Sequence, residues 1–489
     1  MLVEEQDSQA VVAELMSGRK TSIPPAAAYM EELDPRTHII NDRTMRPDKW
    51  VKVDIDDVSD VDASNVRSVV SGQGERGAKR IELVARIALA LQKLIVKRAV
   101  AFTFGNPVGM NADPEQGTKE EDVLKSVRKV LSDVKSSTIN RRIATSIFST
   151  TEAAELWYPV EGRNGKYGFD SAFKLRCITL SPLHGDMLYP YFDETGDMMA
   201  FSRQFSREDN KKRKHIFFET YTDIWHYLWE NTEGGWRIVE GYPMQNTIGK
   251  IPVVYGCQRS VEWADVQNLI DRLEKLLSNF ADTNDYHASP KIVVKGEIMR
   301  WSKKGDAGSI IEMDDNGSAE YLTWSQAPES VKLEIETLLR MIYTITQTPD
   351  ISFDSVKGLN VSGVALELMF MDAHLKVMEK REVFDEYMQR RFNIIQAYLS
   401  QMNARDAAYA TACGTLTIEP VITPYTLRDT QAETNRLITA TGNKAIMSRR
   451  TAVQKFGEVD DVEQELATIE EEENAAANFG DLFNQEPTV

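Results

Sequence analysis

Two apolar seams constrain this chain more than any other feature. Trp263, Val266, Ile270, Leu273, Leu277 and Phe280 step by 3, 4, 3, 4 and 3, and Val331, Ile335, Leu338, Ile342 and Ile345 step by 4, 3, 4 and 3. That spacing lines one stripe of an amphipathic helix. Ser260 and Ser330 are suited to cap the two starts, Pro290 follows the first helix and Pro349 ends the second. The residues between hold the β-prone runs Ile292-Val293-Val294 and Ser309-Ile310-Ile311. They also hold a turn, Asp314-Asp315-Asn316-Gly317, before Tyr321-Leu322. The chain is expected to run out along one helix, through a small β unit, and back along another.

The flanks fill in the architecture. After Pro349 comes a polar, glycine-containing loop from Asp350 to Gly363. A long helical pattern follows from Val364 to about Gln401, its seam opening with Val364, Leu368, Met371, Leu375 and Met378. At 1.5 Å per residue it would span roughly 57 Å. Upstream, helices are expected from Arg80 to Val100, Lys119 to Val134 and Thr138 to Leu156. Residues 157–255 are rich in aromatic and β-branched residues and carry the turns Asp193–Asp197 and Asn231–Gly235, which predicts an antiparallel sheet packed on those helices. Residues 1–45, with Pro24, Pro25 and Pro35, read as an irregular arm. Leu416 to Ile422 reads as a strand, and 426–470 as helical with breaks at Gly442 and Gly457. Residues 473–489 read as a disordered acidic tail. The expected fold class is α+β, mainly helical.

Length and charge narrow the function. A chain of 489 residues suggests about three domains. Its 57 basic and 75 acidic residues leave a formal net charge of −18. That argues against a basic protein that grips nucleic acid, though not against one that handles DNA without gripping it. Cys177, Cys257 and Cys413 form no CxxC pair, so neither a disulfide framework nor a zinc ribbon has support. The first residues lack a secretory pattern, and the most apolar stretch, Ile87 to Phe104, is broken by Lys93, Lys97 and Arg98, so no membrane span is expected. A soluble protein, made or assembled inside a cell, is the expectation.

Motifs for chemistry are sparse. Gly72, Gly74 and Gly77 match G-x-G-x-x-G, but no clear second strand follows to complete a dinucleotide site, so a loop is the favoured reading. The six histidines are scattered, and there is no HExxH, nucleophile elbow or Walker loop. No catalytic residue, metal site or cofactor is expected. Lys211-Lys212-Arg213-Lys214 could touch nucleic acid or an acidic partner, but a solvated hairpin tip is favoured.

Several local motifs, in order, resemble the portal proteins of tailed bacteriophages of the siphophage type. Gly249-Lys250-Ile251-Pro252-Val253-Val254 is similar to a G-x-I-P-V segment leading into a helix with Leu-Ile-Asp, here Leu269-Ile270-Asp271. Ser362-Gly363-Val364-Ala365-Leu366 resembles the signature at the start of the long helix. Phe104-Gly105-Asn106-Pro107 resembles a Phe-Gly-x-Pro segment, and Ser448 to Glu473 the C-terminal acidic helix. The likeness covers about 80–473. Tyr255-Gly256 departs from the more usual acidic–aromatic pair, and the first 80 residues carry no matching motif.

The resemblance implies a ring, usually of twelve subunits, at one capsid vertex, assembled in the host cytoplasm and carried in the virion. Residues 46–260 and 364–425 would form a wing, 261–288 and 328–349 a helical stem, 289–327 a small α/β clip, 350–363 a channel loop and 426–472 a crown. Double-stranded DNA would pass through the channel, driven by a terminase docked at the clip and later replaced by a head-completion adaptor protein. Major capsid and scaffolding proteins would be further partners. Twelve copies at −18 each would repel the DNA rather than hold it. The channel loop would present Asp350, Ser352, Asp354, Ser355, Lys357, Asn360 and Ser362, with Lys357 as the phosphate contact and a solvated turn as the plain alternative. The clip would dock partners through Trp301, Lys303, Lys304, Asp306 and Trp324, although both tryptophans equally suit the clip's own core. The stem seams would pack around the ring. The rival readings are a nucleotide-dependent enzyme using Gly72–Gly77 and a virion or scaffolding protein without a channel.

Overall fold

Helical structure starts sooner than the sequence suggests. The computed structural model describes residues 7–19, 26–53, 66–70, 76–287, 292–295, 298–300, 312–313, 318–321, 327–350, 370–426, 430–442, 445–456 and 462–483. The expected irregular arm contains α1 (Ser8–Ser17) and α2 (Ala26–Leu33). Asp7 Oδ1 accepts the Gln9 amide at 3.1 Å and so caps α1. Ten residues are too few for a stable helix alone; α1 holds because Val11, Val12 and Leu15 are buried against Tyr189, Ala200, Phe218, Tyr227 and Trp229.

Next come β1 (Lys49–Val53), β2 (Val66–Val70) and β3 (Arg76–Glu82), an antiparallel sheet in the order β1-β3-β2. Gly77 lies in β3 opposite Val69; Gly72 and Gly74 fall outside the described residues. Gly77 therefore lies within an antiparallel strand, not at a strand-to-helix turn, and the dinucleotide reading loses its required context.

α3 (Leu91–Phe104), β4 (Gly109–Asn111), α4 (Lys119–Asp133) and α5 (Ser136–Thr150) follow. The helix expected from Arg80 starts only at Leu91. α5 stops at Thr150 rather than near Leu156, because Thr151 turns left-handed at φ 67° and the chain enters a strand. That strand is β5 (Glu152–Asn164), followed by β6 (Ser171–Leu180), β7 (Met187–Phe192), β8 (Met198–Glu208), β9 (Lys214–Tyr221), β10 (Trp225–Thr232), β11 (Gly235–Ile238), β12 (Met244–Gln245) and β13 (Val253–Cys257). They build two antiparallel sheets. One is β13-β5-β6; the other is β11-β10-β9-β8-β7, with β12 beside β10. Strand alternation divides the larger sheet's side chains. Leu188, Phe201 and Tyr221 join Leu156, Leu180 and Val253 of the smaller sheet, while Tyr189, Ala200 and Phe218 meet α1. Both expected hairpin turns form. Asp193 Oδ1 accepts the amides of Thr195 and Asp197 at 2.9 and 2.8 Å. Lys211–Arg213 sit exposed at the β8–β9 tip, where Asp209 Oδ1 accepts the amides of Lys211 and Arg213 at 2.7 and 2.9 Å.

α6 (Gln267–His287) runs out to the insert and α7 (Ala327–Ile345) returns, already helical before Ser330. In the insert, β14 (Ile292–Lys295) pairs with β17 (Ser318–Tyr321), and β15 (Ile298–Arg300) with β16 (Glu312–Met313). The expected turn at 314–317 lies outside the described residues. α8 (Met371–Met402) spans about 48 Å by its 32 residues, and is followed by α9 (Ala407–Thr415) and β18 (Glu419–Val421), which pairs with β4. The described part of the seam expected on α8 proves to be its open side. Met371, Leu375 and Met378 are exposed, while Ala373, Val377, Phe384, Tyr387 and Arg391 are buried. Arg391 anchors the helix. Its Nε and Nη2 each donate to Glu155 at 2.7 Å, Nη1 donates to Asn140, and Trp157 Nε1 donates to the same carboxylate at 2.9 Å. Tyr387 also explains Gly256: a Cβ there would lie 2.8 Å from its ring.

The chain divides into two compact units, 1–350 with 372–425, and 351–371 with 426–489. The second contains α10 (Thr430–Thr441), α11 (Arg449–Phe456) and α12 (Val462–Phe483). Arg449 pairs with Glu473 at 2.8 Å, joining α11 to α12. α12 continues through Ala475-Ala476-Ala477, strong helix formers, into the stretch expected to be a disordered tail.

Candidate functional site

The out-and-back helix pair is fixed mainly by the chain's own N-terminal half. Trp263, Val266, Ile270 and Leu273 are fully buried, Leu277 half-buried. Trp263 precedes a short 3-10 turn (Ala264–Val266) that leads into α6; its Nε1 donates to Glu32 at 2.8 Å and its ring meets Tyr29 edge-on. On α7, Leu338 and Ile342 are buried, Val331 and Ile335 half-buried, and Ile345 exposed. Most of the α6 seam, with Leu338 and Ile342 of α7, is therefore packed within the protomer itself, while Ile345 stays open.

A non-helical segment lies along α6 in the opposite direction. The amides of Ala85, Ile87 and Leu89 donate to Asp282 Oδ1 at 2.7 Å, Ser278 Oγ at 2.9 Å and Glu274 Oε1 at 2.8 Å. Two extended residues advance about 6.6 Å and four helical residues about 6 Å, so alternate amides meet every fourth side chain. This ladder displaced the expected helix at 80–90. Arg46 reinforces it, donating to Asn279 and Asp282 at 2.7 Å and to the Ala85 carbonyl at 2.9 Å. His38 does so one turn away. Its Nδ1 lies 2.7 Å from Glu274 Oε1 and its Nε2 2.7 Å from the Glu32 carbonyl oxygen. Burial opposes charge on His38, but these two acceptors outweigh it and hold the imidazole pKa above its ordinary value.

The far end of α7 is the base of the segment expected to face a channel. Gln347 is left-handed at φ 50°; the Thr348 amide donates to the Tyr343 carbonyl at 2.9 Å and the Gln347 amide to Thr344 at 3.1 Å, a Schellman ending before Pro349. Cations gather at this negative helix end. Lys376 Nζ donates to the Thr346 carbonyl at 2.9 Å, and Arg98 to the Pro349 carbonyl at 2.6 Å while covering the Tyr343 ring. Lys376 also pairs with Glu262 at 2.6 Å, as does Lys380 at 2.9 Å. Burial pushes the Glu262 carboxyl up, but the two ammonium groups outweigh it and hold the carboxyl below its ordinary range. The segment before α6, the end of α7 and the start of α8 are thus joined at one buried ionic knot of Glu262, Lys376 and Lys380, and Arg98 of α3 adds a hydrogen bond beside it.

Of the expected loop residues, Asp350 is described and exposed; Ser352, Asp354, Ser355, Lys357, Asn360 and Ser362 lie outside the described residues. So do the expected docking residues Trp301, Lys303, Lys304, Asp306 and Trp324. Among the described residues no cluster of His, Cys, Asp and Glu is suited to a metal ion, and no helix is long and apolar enough to cross a membrane. The ionic groups of the knot hold one another. Sequence reading missed Glu262, Lys376, Arg98 and the ladder. One signal was available: Glu274, Ser278 and Asp282 recur every fourth residue beside an apolar seam.

Comparison with known proteins bears on this arrangement. Residues 82–478 match the family described as phage portal protein, SPP1 Gp6-like. The portal protein of Bacillus phage SPP1 is 22% identical over 427 residues, covering 82% of this chain and 79% of that one. Two solved structures of gene transfer agent particles are similar at lower identity. A chain of the neck of the empty particle, computed with C6 symmetry, gives a TM-score of 0.42 at 10% identity, covering 75% of this chain and 89% of that one. A chain of the native particle's neck, computed with C12 symmetry, gives 0.38 at 11%, covering 75% and 88%.

Proposed function

The chain belongs to the phage portal protein family of the SPP1 Gp6-like kind, and from that premise we propose that its subunits close a ring, of twelve copies, around a channel for the genome. As a phage portal protein it is a virion component at a capsid vertex, part of the head-to-tail connector. The observation that carries the reading is the family match from 82 to 478, which runs through the helix pair, its insert and the long helix.

In this reading 46–260 and 364–425 form the wing, 261–288 and 328–349 the stem, 289–327 the clip, 350–363 the channel loop and 426–472 the crown. The ionic knot, with Arg98 beside it, fits that scheme, since together they fix the base of α7 against α3 and α8 while DNA moves past. Terminase and, later, a head-completion adaptor protein dock at the clip, through Trp301, Lys303, Lys304, Asp306 and Trp324. Major capsid and scaffolding proteins meet the ring during assembly. Lys357 makes the passing phosphate contact among small polar neighbours, and the net charge of −18 per copy keeps that contact weak. The ring has no catalytic step of its own; the motor supplies the energy.

The test is to purify the chain and examine it by negative-stain electron microscopy with native mass measurement. Annular particles of about twelve 55.3 kDa copies are expected. Monomers or dimers without a hole, across salt and protein concentration, would overturn the reading. For the channel loop, Lys357→Ala rings should assemble normally but change the packaging rate; an unchanged rate would remove Lys357 from its role.

A further inference from the structure

Two helix faces of the first unit are apolar and uncovered. On α7, Leu333, Met341 and Ile345 share one stripe, with Thr337 between them, and are 66%, 48% and 48% exposed. On α8, Leu375 and Met378 are 50% and 64% exposed. Side chains of this size left open on helices mark contact surfaces when they gather in stripes. The Lys376–Thr346 hydrogen bond sets the first turns of α8 at the end of α7, so both stripes lead away from the same junction. Their flanks differ in charge. Arg340 lies exposed beside the α7 stripe, along with the paired Lys332 and Glu336; Glu382 and Glu379, the latter 3.5 Å from Lys380, lie exposed beside the α8 stripe.

We propose that the α7 stripe of one protomer docks on the α8 stripe of the next copy of this chain, with Arg340 facing Glu379 and Glu382 across the contact. The proposal rests on the ring reading and deepens it. A ring closed by rotation joins two different patches, whereas a patch that matches itself closes a dimer. Two separate apolar stripes, one beside Arg340 and the other beside Glu379 and Glu382, meet that requirement. Apolar burial supplies the affinity, and the charges set the register. The seam residues Ile270, Leu273, Leu338 and Ile342 cannot serve, because the protomer has already buried them.

The experiment uses full-length chains carrying Met341→Cys or Met378→Cys, mixed, assembled into rings and treated with a short bismaleimide. A covalent dimer is expected only where both variants are present, above the background of the wild type with its three native cysteines. In the double variant, a ladder of cross-linked multimers is expected. Rings that give no mixed dimer, or a double variant that links only within one chain, overturn the proposal and leave the ring reading standing. Failure of the wild type to form rings overturns both. As a second arm, Arg340→Glu should lower the ring fraction at least tenfold, and Glu382→Arg in the same chain should restore it. Monomers that stay folded, with no rescue, count against the assigned pairing.

Discussion

His38 and Glu274 lie 236 residues apart in sequence and meet at 2.7 Å with both side chains buried. The same carboxylate oxygen receives the Leu89 amide at 2.8 Å. One atom of α6 thus holds both the N-terminal arm and the segment that leads into α3.

This pair sets a pH dependence of definite sign. The folded pKa of His38 is raised above 6.5. Its contribution is fully present below about 6.5 and is lost as pH rises through the raised value. Thermal melts of the wild type and His38→Gln should therefore converge with rising pH in that window. Parallel curves would show that His38 carries no proton of consequence.

Arg391 closes a buried pair with both oxygens of Glu155. Arg391→Ala leaves that carboxylate unpaired inside the protein, at a cost of about 3–5 kcal/mol. Denaturant unfolding should show a loss of this size. A loss below about 1 kcal/mol, the range of surface pairs, would contradict the assignment.

Ser278 accepts the amide of Ile87 in the middle of the ladder. Ser278→Ala leaves that amide without its acceptor and should cost about 1–3 kcal/mol. Hydrogen exchange gives the local readout. The Ile87 amide should lose protection first, and wild-type protection there would refute the pairing.

Glu262 behaves oppositely to His38. Its folded pKa is lowered, so its contribution is present above the ordinary value of 4.5 and is lost as pH falls through the lowered one. Glu262→Gln should flatten the acid limb of the stability profile. Lys376→Met should destabilise more than Lys380→Met, since only Lys376 also holds the Thr346 carbonyl. Equal effects would mean that bond adds nothing.

Gly256 sits where a Cβ would come within 2.8 Å of the Tyr387 ring and 3.1 Å of Ile147. Gly256→Ala should cost about 1–3 kcal/mol through overpacking. Combining it with Tyr387→Leu should recover part of the loss in thermal melts; no recovery would place the strain elsewhere.

The apolar spacing alone determined that helices run out to and back from a β-containing insert, because a period near 3.5 residues leaves few other ways to bury those side chains. Turn chemistry likewise announced the hairpins at Asp193–Asp197 and Asn231–Gly235, where local hydrogen bonds suffice. Ordered local motifs pointed to the portal family. Tertiary structure alone decided the rest. The sequence from Arg80 is apolar at helical intervals, yet the segment before Leu91 is not helical, since Glu274, Ser278 and Asp282 take its amides. The arm became helical because α1 had a sheet to cover. On α8, Leu375 and Met378 looked like the inner face and lie outside, because Lys376 and Arg391 had buried partners in Glu262 and Glu155. Periodicity reports that a helix has an apolar side. Which side faces inward depends on partners distant in sequence that satisfy its charges.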